Sequence, residues 1–167
     1  MTPAHSEIKF GRDAASLVIS RSEGETLWVQ RGLSAPFLGG YWAFPGGMVS
    51  EADLITPHLL PDIEHNRESN RVRSMKRAAL RETVEELGLQ GVDLTEYENH
   101  LKPIGTWSTH PYITRTVSCE FFSVSCDELG LNSEELVDGR HHHHTQVGGH
   151  PELSQVEWLT AQEMYQR

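Results

Sequence analysis

A single α/β domain is the fold class this sequence predicts, and three observations carry the prediction. Two β-rich runs open the chain, Ala15 to Ser20 and Leu27 to Arg31. A helical pattern follows from about Arg71 to Leu87, where Met75, Leu80, Val84 and Leu87 can line one buried stripe beside Ala79. Extended runs then return at residues 101–107, 115–125 and 155–159. With 167 residues the chain is long enough for one domain with a sizeable core and short for two.

The first two runs are separated by a polar turn containing Gly24, which reads as a hairpin within one sheet. Residues 32–47 hold seven glycines and prolines, too many breakers for regular structure, and form a functional-loop candidate. The helix faces its stripe inward and its glutamates elsewhere, and Gly88 supplies the stop. In the 115–125 run, Val117, Cys119 and Phe121 alternate with Thr116, Ser118 and Glu120, the mark of a half-buried strand. Residues 139–151, with His141 to His144 at their centre, read as a mobile surface loop. Thr160 to Glu163 has the form of a capping box, so a closing helix starts there.

Composition removes several function classes. A formal charge of −10 argues against a nucleic-acid polymer as partner, because general phosphate attraction needs a basic excess. No run approaches the roughly 20 apolar residues of a membrane span, and the polar opening Met1 to Glu7 lacks a signal-peptide core. The expected setting is the cytoplasm, with Cys119 and Cys126 as reduced thiols rather than a bridge.

The chemistry concentrates in Arg81-Glu82-Thr83-Val84-Glu85-Glu86-Leu87-Gly88-Leu89. On a helix, positions i, i+3 and i+4 share a face, so Glu82, Glu85 and Glu86 make an acidic triangle. Their mutual repulsion is relieved by a cation, and oxygen-only ligands suit a hard ion such as Mg²⁺ or Mn²⁺. Upstream, the paired glycines of Phe44-Pro45-Gly46-Gly47 let the backbone approach a ligand closely and offer a carbonyl. The His run is a weaker metal candidate, since four successive side chains cannot converge on one ion from an extended backbone.

Together these pieces resemble the Nudix box, G-x5-E-x7-R-E-U-x-E-E-x-G-U with U aliphatic. Arg81, Glu82, Glu85, Glu86, Gly88 and Leu89 fall in place, Thr83 takes a usually aliphatic position, and Asp53 stands where the family has Glu. Between Asp53 and Arg81 lie 27 residues where the pattern has 7, so an insertion at about residues 54–72 interrupts the box. A longer surface loop costs little closure entropy. Any role for Asp53 is left open by that interruption.

The resemblance implies a Nudix α/β/α sandwich, a mixed β-sheet between helices, as one domain over the chain. It implies hydrolysis of a pyrophosphate bond in a nucleoside diphosphate linked to another moiety. Glu82, Glu85, Glu86 and the Gly47 carbonyl would hold Mg²⁺ or Mn²⁺, and Arg81 would orient a carboxylate through paired hydrogen bonds. The general base stays open among a box glutamate and the downstream Glu120, Glu134 and Glu135. A homodimer acting on a small nucleotide-type molecule is the matching partner expectation.

Within that family, Gly40 to Gly47, the long insertion and Trp107-Ser108-Thr109-His110-Pro111 followed by Arg115 look like the peroxisomal coenzyme A diphosphatase subgroup. The arginine expected between Arg31 and Gly40 is absent. Arg31, Phe44, Trp107 and Arg115 are the substrate-binding candidates, with Tyr41 and Trp42 able to stack on a base or to pack in the core. Arg67, Arg71, Arg73, Lys76 and Arg77 form a basic cluster, which either meets a phosphate-rich ligand or pairs with Asp62, Glu64 and Glu68.

Overall fold

A computed structural model describes residues 8–35, 38–55, 65–89, 91–109, 116–137, 146–147, 150–151 and 153–167. Strands β1 (Asp13–Ser20), β2 (Thr26–Arg31), β3 (Trp42–Ala43) and β4 (Gly46–Met48) precede helix α1 (His65–Glu86). Strands β5 (Lys102–Ser108), β6 (Ser118–Ser125), β7 (Gln146–Val147), β8 (His150–Pro151) and β9 (Leu153–Leu159) follow, then helix α2 (Ala161–Tyr165). Seven strands form one mixed sheet in the order β3-β2-β1-β6-β5, with β4 also on β1 and β9 also on β2. Among the described strands only β1 and β6 run parallel.

The centre of the sheet follows from the β1 sequence. Ala15, Leu17 and Ile19 recur with period two and are fully buried, in one core with Met75, Ala78, Ala79, Leu80 and Leu87 of α1. Phe122 of β6 joins them at 0% exposure. Each such side chain contributes roughly 1.5–3 kcal/mol when removed from water. The expected helix stripe is present, with Val84 at its partly buried margin. Gly88 ends α1 in a left-handed turn at φ 64°, and the Leu89 N–H donates back to the Val84 carbonyl.

Several expectations need correction. The β1–β2 hairpin exists only at Ser20 and Thr26, because β4 takes the β1 edge from Ala14 to Ser16 and β2 pairs mainly with β9. The breaker-rich stretch contains β3 and β4, since short strands fit between its glycines. Helix α1 starts at His65 rather than Arg71, so the end of the insertion is already helical.

In β6 the deeper face is Phe122 and Val124, not Val117 and Phe121, and Cys119 and Phe121 point to the opposite side of the sheet. Four residues of the expected His-rich loop pair as the β7–β8 ribbon, and His141 to His144 lie outside the described residues. Cys119 and Cys126 are buried free thiols, as expected. The Thr160 capping box is present at the start of α2. Among the described residues no helix is long and apolar enough to cross a membrane.

Candidate active site

The site is built where β4 meets the last turns of α1. Gly46 has φ 153°, and a Cβ there would lie 2.3 Å from the Ala15 carbonyl oxygen. At Gly47 a Cβ would lie 2.4 Å from the Glu82 carboxyl carbon. Only glycines let β4 approach both β1 and the Glu82 carboxylate this closely.

Glu86 is 3% exposed, and its Oε2 accepts the Gly46 N–H at 2.9 Å. Its Oε1 stands 4.0 Å from Arg31 Nη1, which brings the end of β2 to the same point. Glu82 and Glu86 thus flank the glycine pair from α1. Glu85 is half exposed and shares Arg81 Nη1 with Glu82, each at 2.9 Å. Among the described residues no three acidic, His or Cys side chains form a cluster at metal-ligating spacing.

Arg81 is the hub. Its Nε and Nη2 donate to the two oxygens of Asp53 at 2.9 and 3.0 Å, Nη2 also donates to the Met48 carbonyl, and Nη1 pairs with Glu82 at 2.9 Å. This fork-to-fork geometry is what a guanidinium provides. Burial works to raise the Asp53 pKa, but hydrogen bonds from Arg81 and Ser50 more than offset it, and the carboxyl titrates below its ordinary value. The Arg81 guanidinium is shifted upward, chiefly by its hydrogen bond to Asp53.

Asp53 therefore occupies the place its count from Gly47 suggested, despite the insertion. The readable signal was a second capping box. Ser50 and Asp53 cap the short turn Glu51–Asp53 reciprocally, which fixes Asp53 before the chain departs. Thr83 tolerates its aliphatic position because its hydroxyl donates to the Ala79 carbonyl at 2.8 Å inside the helix.

The remaining candidates divide. Phe44 lies in an aromatic cluster, 4.1 Å from the Trp28 ring centroid and 6.4 Å from that of Phe121. Trp107 is 55% exposed on edge strand β5, opposite Cys119 and so on the face that also carries Phe121. Trp42 lies beneath the Arg167 guanidinium. Arg115 lies outside the described residues.

Glu120 is held by Arg71, which also reaches Asp13 at 3.6 Å. Arg73 and Arg77 both pair with the buried Glu98. Three members of the basic cluster, Arg71, Arg73 and Arg77, thus meet Asp13, Glu98 and Glu120, and the side chains of Arg67 and Glu68 lie outside what the structure describes. Asp62 and Glu64 lie outside the described residues.

The donor set fits a hard divalent cation. Glu82 and Glu86 supply carboxylate oxygens beside a glycine backbone that leaves no side chain in the way. Such an ion, when bound, neutralises phosphoryl oxygens and lowers the pKa of water.

Comparison with known proteins agrees with this architecture. The NUDIX domain family matches residues 11–167. No curated protein sequence matches the chain significantly. Among solved structures, the NUDIX hydrolase from Alicyclobacillus acidocaldarius is 22% identical with a TM-score of 0.58, over 97% of this chain and 84% of that one.

The NUDIX domain of Shewanella oneidensis NrtR complexed with ADP ribose is 15% identical with a TM-score of 0.51, over 99% and 82%. The MutT protein from Methanosarcina mazei Go1 is 18% identical with a TM-score of 0.50, over 93% and 80%. At these identities the likeness is one of fold. With the family matched over nearly the whole chain, and with the box arginine and its carboxylates assembled on the glycine turn, the chain belongs to the NUDIX domain family.

Proposed function

We propose that the chain hydrolyses the pyrophosphate bond of a nucleoside diphosphate linked to a second moiety, with Mg²⁺ or Mn²⁺ as cofactor. Coenzyme A and its thioesters are the first substrates to try. The observation that carries this reading is the pair of carboxylates, Glu82 and Glu86, set on either side of the Gly46–Gly47 backbone.

In this reading Glu82, Glu86 and the Gly47 carbonyl hold the ion, and Glu85 completes the set from its half-exposed position. Arg81, fixed by Asp53, holds Glu82 and Glu85 in place rather than touching substrate. Arg31 reaches the same point from β2, 4.0 Å from Glu86, where its guanidinium can meet a phosphate oxygen. Phe44 and Trp107 offer apolar rings on one sheet face for the base. Of the downstream acids, Glu120 is the least suited to act as base, because Arg71 holds its carboxylate beside α1. The enzyme acts in the cytoplasm on a small molecule.

A second reading is a nucleotide sensor without turnover. It draws on the fold likeness to the NUDIX domain that was solved with ADP ribose. A metal-dependent turnover assay over coenzyme A, ADP-ribose, dinucleoside polyphosphates and nucleoside triphosphates separates the two. Release of a phosphorylated product from one of them supports the hydrolase. Binding of one with no product from any favours the sensor.

A further inference from the structure

The connection from β2 to β3 is pinned at its base. The Arg31 N–H donates to the Tyr41 carbonyl at 3.0 Å, the Gly40 N–H donates to the Arg31 carbonyl at 2.9 Å, and Gln30 Nε2 donates to the Gly40 carbonyl at 3.1 Å. Beyond the pin the loop shows apolar side chains to solvent. Leu33 is 88% exposed, Tyr41 65% and Leu38 47%. Leu38 also has φ 51°, the left-handed conformation that glycine or asparagine adopts far more readily than leucine. Neither core packing nor backbone geometry explains the choice of leucine at 33 and 38.

Position supplies a reason. Arg31, the residue that closes the loop, is also the one whose guanidinium approaches Glu86. The apolar surface therefore starts two residues from a group at the carboxylate site.

We propose that Leu33, Leu38 and Tyr41 form a specificity surface for the second, non-nucleotide moiety of the substrate, selecting an apolar chain there. The proposal rests on the pyrophosphohydrolase reading above. A second copy of the chain is the other occupant such a surface could have. A stable interface takes about 800 Å² and 20 or more residues per partner, whereas the described residues of this loop offer three such side chains. A few methylenes of a substrate chain need no more than that.

The test uses ADP esterified on its terminal phosphate with linear alcohols of increasing length, alongside ADP-ribose. With the unmodified protein, kcat/KM rises by about threefold for each methylene the patch covers. In Leu33→Ser combined with Leu38→Asn, which keeps a residue suited to the left-handed position, the rise flattens and the ratio of long ester to ADP-ribose falls. Tyr41→Ser lowers the same ratio independently.

Turnover of the esters with no dependence on length, or a dependence that survives all three substitutions, overturns the specificity surface and leaves the hydrolase reading standing. Failure of the unmodified protein to cleave any of these compounds overturns the specificity surface, and the hydrolase reading falls with it only when coenzyme A and dinucleoside polyphosphates also yield no product.

Discussion

The two halves of α1 carry charge in opposite ways. Toward its start, Arg71, Arg73 and Arg77 meet Asp13, Glu98 and Glu120, three cations against three acids drawn from β1, β6 and the turn Thr95–His100. Toward its end, Arg81 and Arg31 meet Asp53, Glu82, Glu85 and Glu86, two cations against four acids. The matched pairs clamp the first half of the helix to the sheet and to the turn Thr95–His100. The contacts of the second gather four carboxylates around two guanidinium groups beside a glycine backbone, an acid-rich setting that suits a divalent ion. Carboxylates crowded beside a backbone open to close approach favour a cation among them, which marks this half as the one suited to a chemical task.

The largest effect expected from this contrast is on rate. Glu86→Gln keeps the side-chain volume and an oxygen for the Gly46 N–H, so thermal stability changes little while turnover falls by about 10²–10³-fold, in the range of one lost electrostatic contact at a reacting site. Comparing the melting curve with kcat checks both parts. Near-normal turnover would remove Glu86 from the site.

Asp53→Ala should act on stability, by about 3 kcal/mol in denaturant titration near neutral pH, because it strips the partly buried Arg81 of its partner. The pH dependence has a definite sign. Asp53 titrates below its ordinary value when folded, so its contribution is present above the unfolded pKa, roughly 3.9, and is lost as pH falls through the folded one. The stability gap between the parent protein and Asp53→Asn therefore closes in acid. A gap that stays constant from neutral pH down to about pH 2 would contradict the ion pair.

Glu98→Gln probes the matched half. Its partners Arg73 and Arg77 are partly solvated, so a loss of about 1–2 kcal/mol is expected, with kcat of the folded protein unchanged. A loss of turnover without loss of stability would erase the distinction between the two halves. Thr83→Val should be the mildest. The Ala79 carbonyl keeps its helical partner when the hydroxyl goes, and the change stays within about 1 kcal/mol by melting temperature.

Much of this was legible in the residues, and what was not has physical reasons. The α1 stripe, the Gly88 stop and the Thr160 capping box were readable because each depends on neighbours within one or two turns. The hairpin was misjudged because strand partners are decided by tertiary competition. β4 displaces β2 along most of β1, and no local pattern announces it.

The same divide runs through the site. Glycine spacing and the Arg81 to Glu86 run identified Gly47, Glu82 and Glu86 as neighbours. Glu85 shared their helical face by count, and its carboxylate meets the same Arg81 Nη1 that holds Glu82. Asp53 looked displaced by the insertion, although its tie to Ser50 sets its place before the extra residues begin. Glu120 looked like an ordinary strand acid until β6 ran parallel to β1 and delivered it to Arg71.

The central claim is that the acid-rich end of α1 holds a divalent ion against the Gly46–Gly47 turn. Manganese titration of the metal-free protein, followed by the loss of the free-ion paramagnetic resonance signal, tests it most directly. Comparing the parent chain with Glu82→Gln and Glu86→Gln separates this site from any binding by His141 to His144, which all three proteins share. The account predicts one saturable site in the parent that weakens at least about tenfold in either variant, as loss of a charged ligand worth 1.4 kcal/mol or more requires. Equal affinity in all three proteins would contradict it.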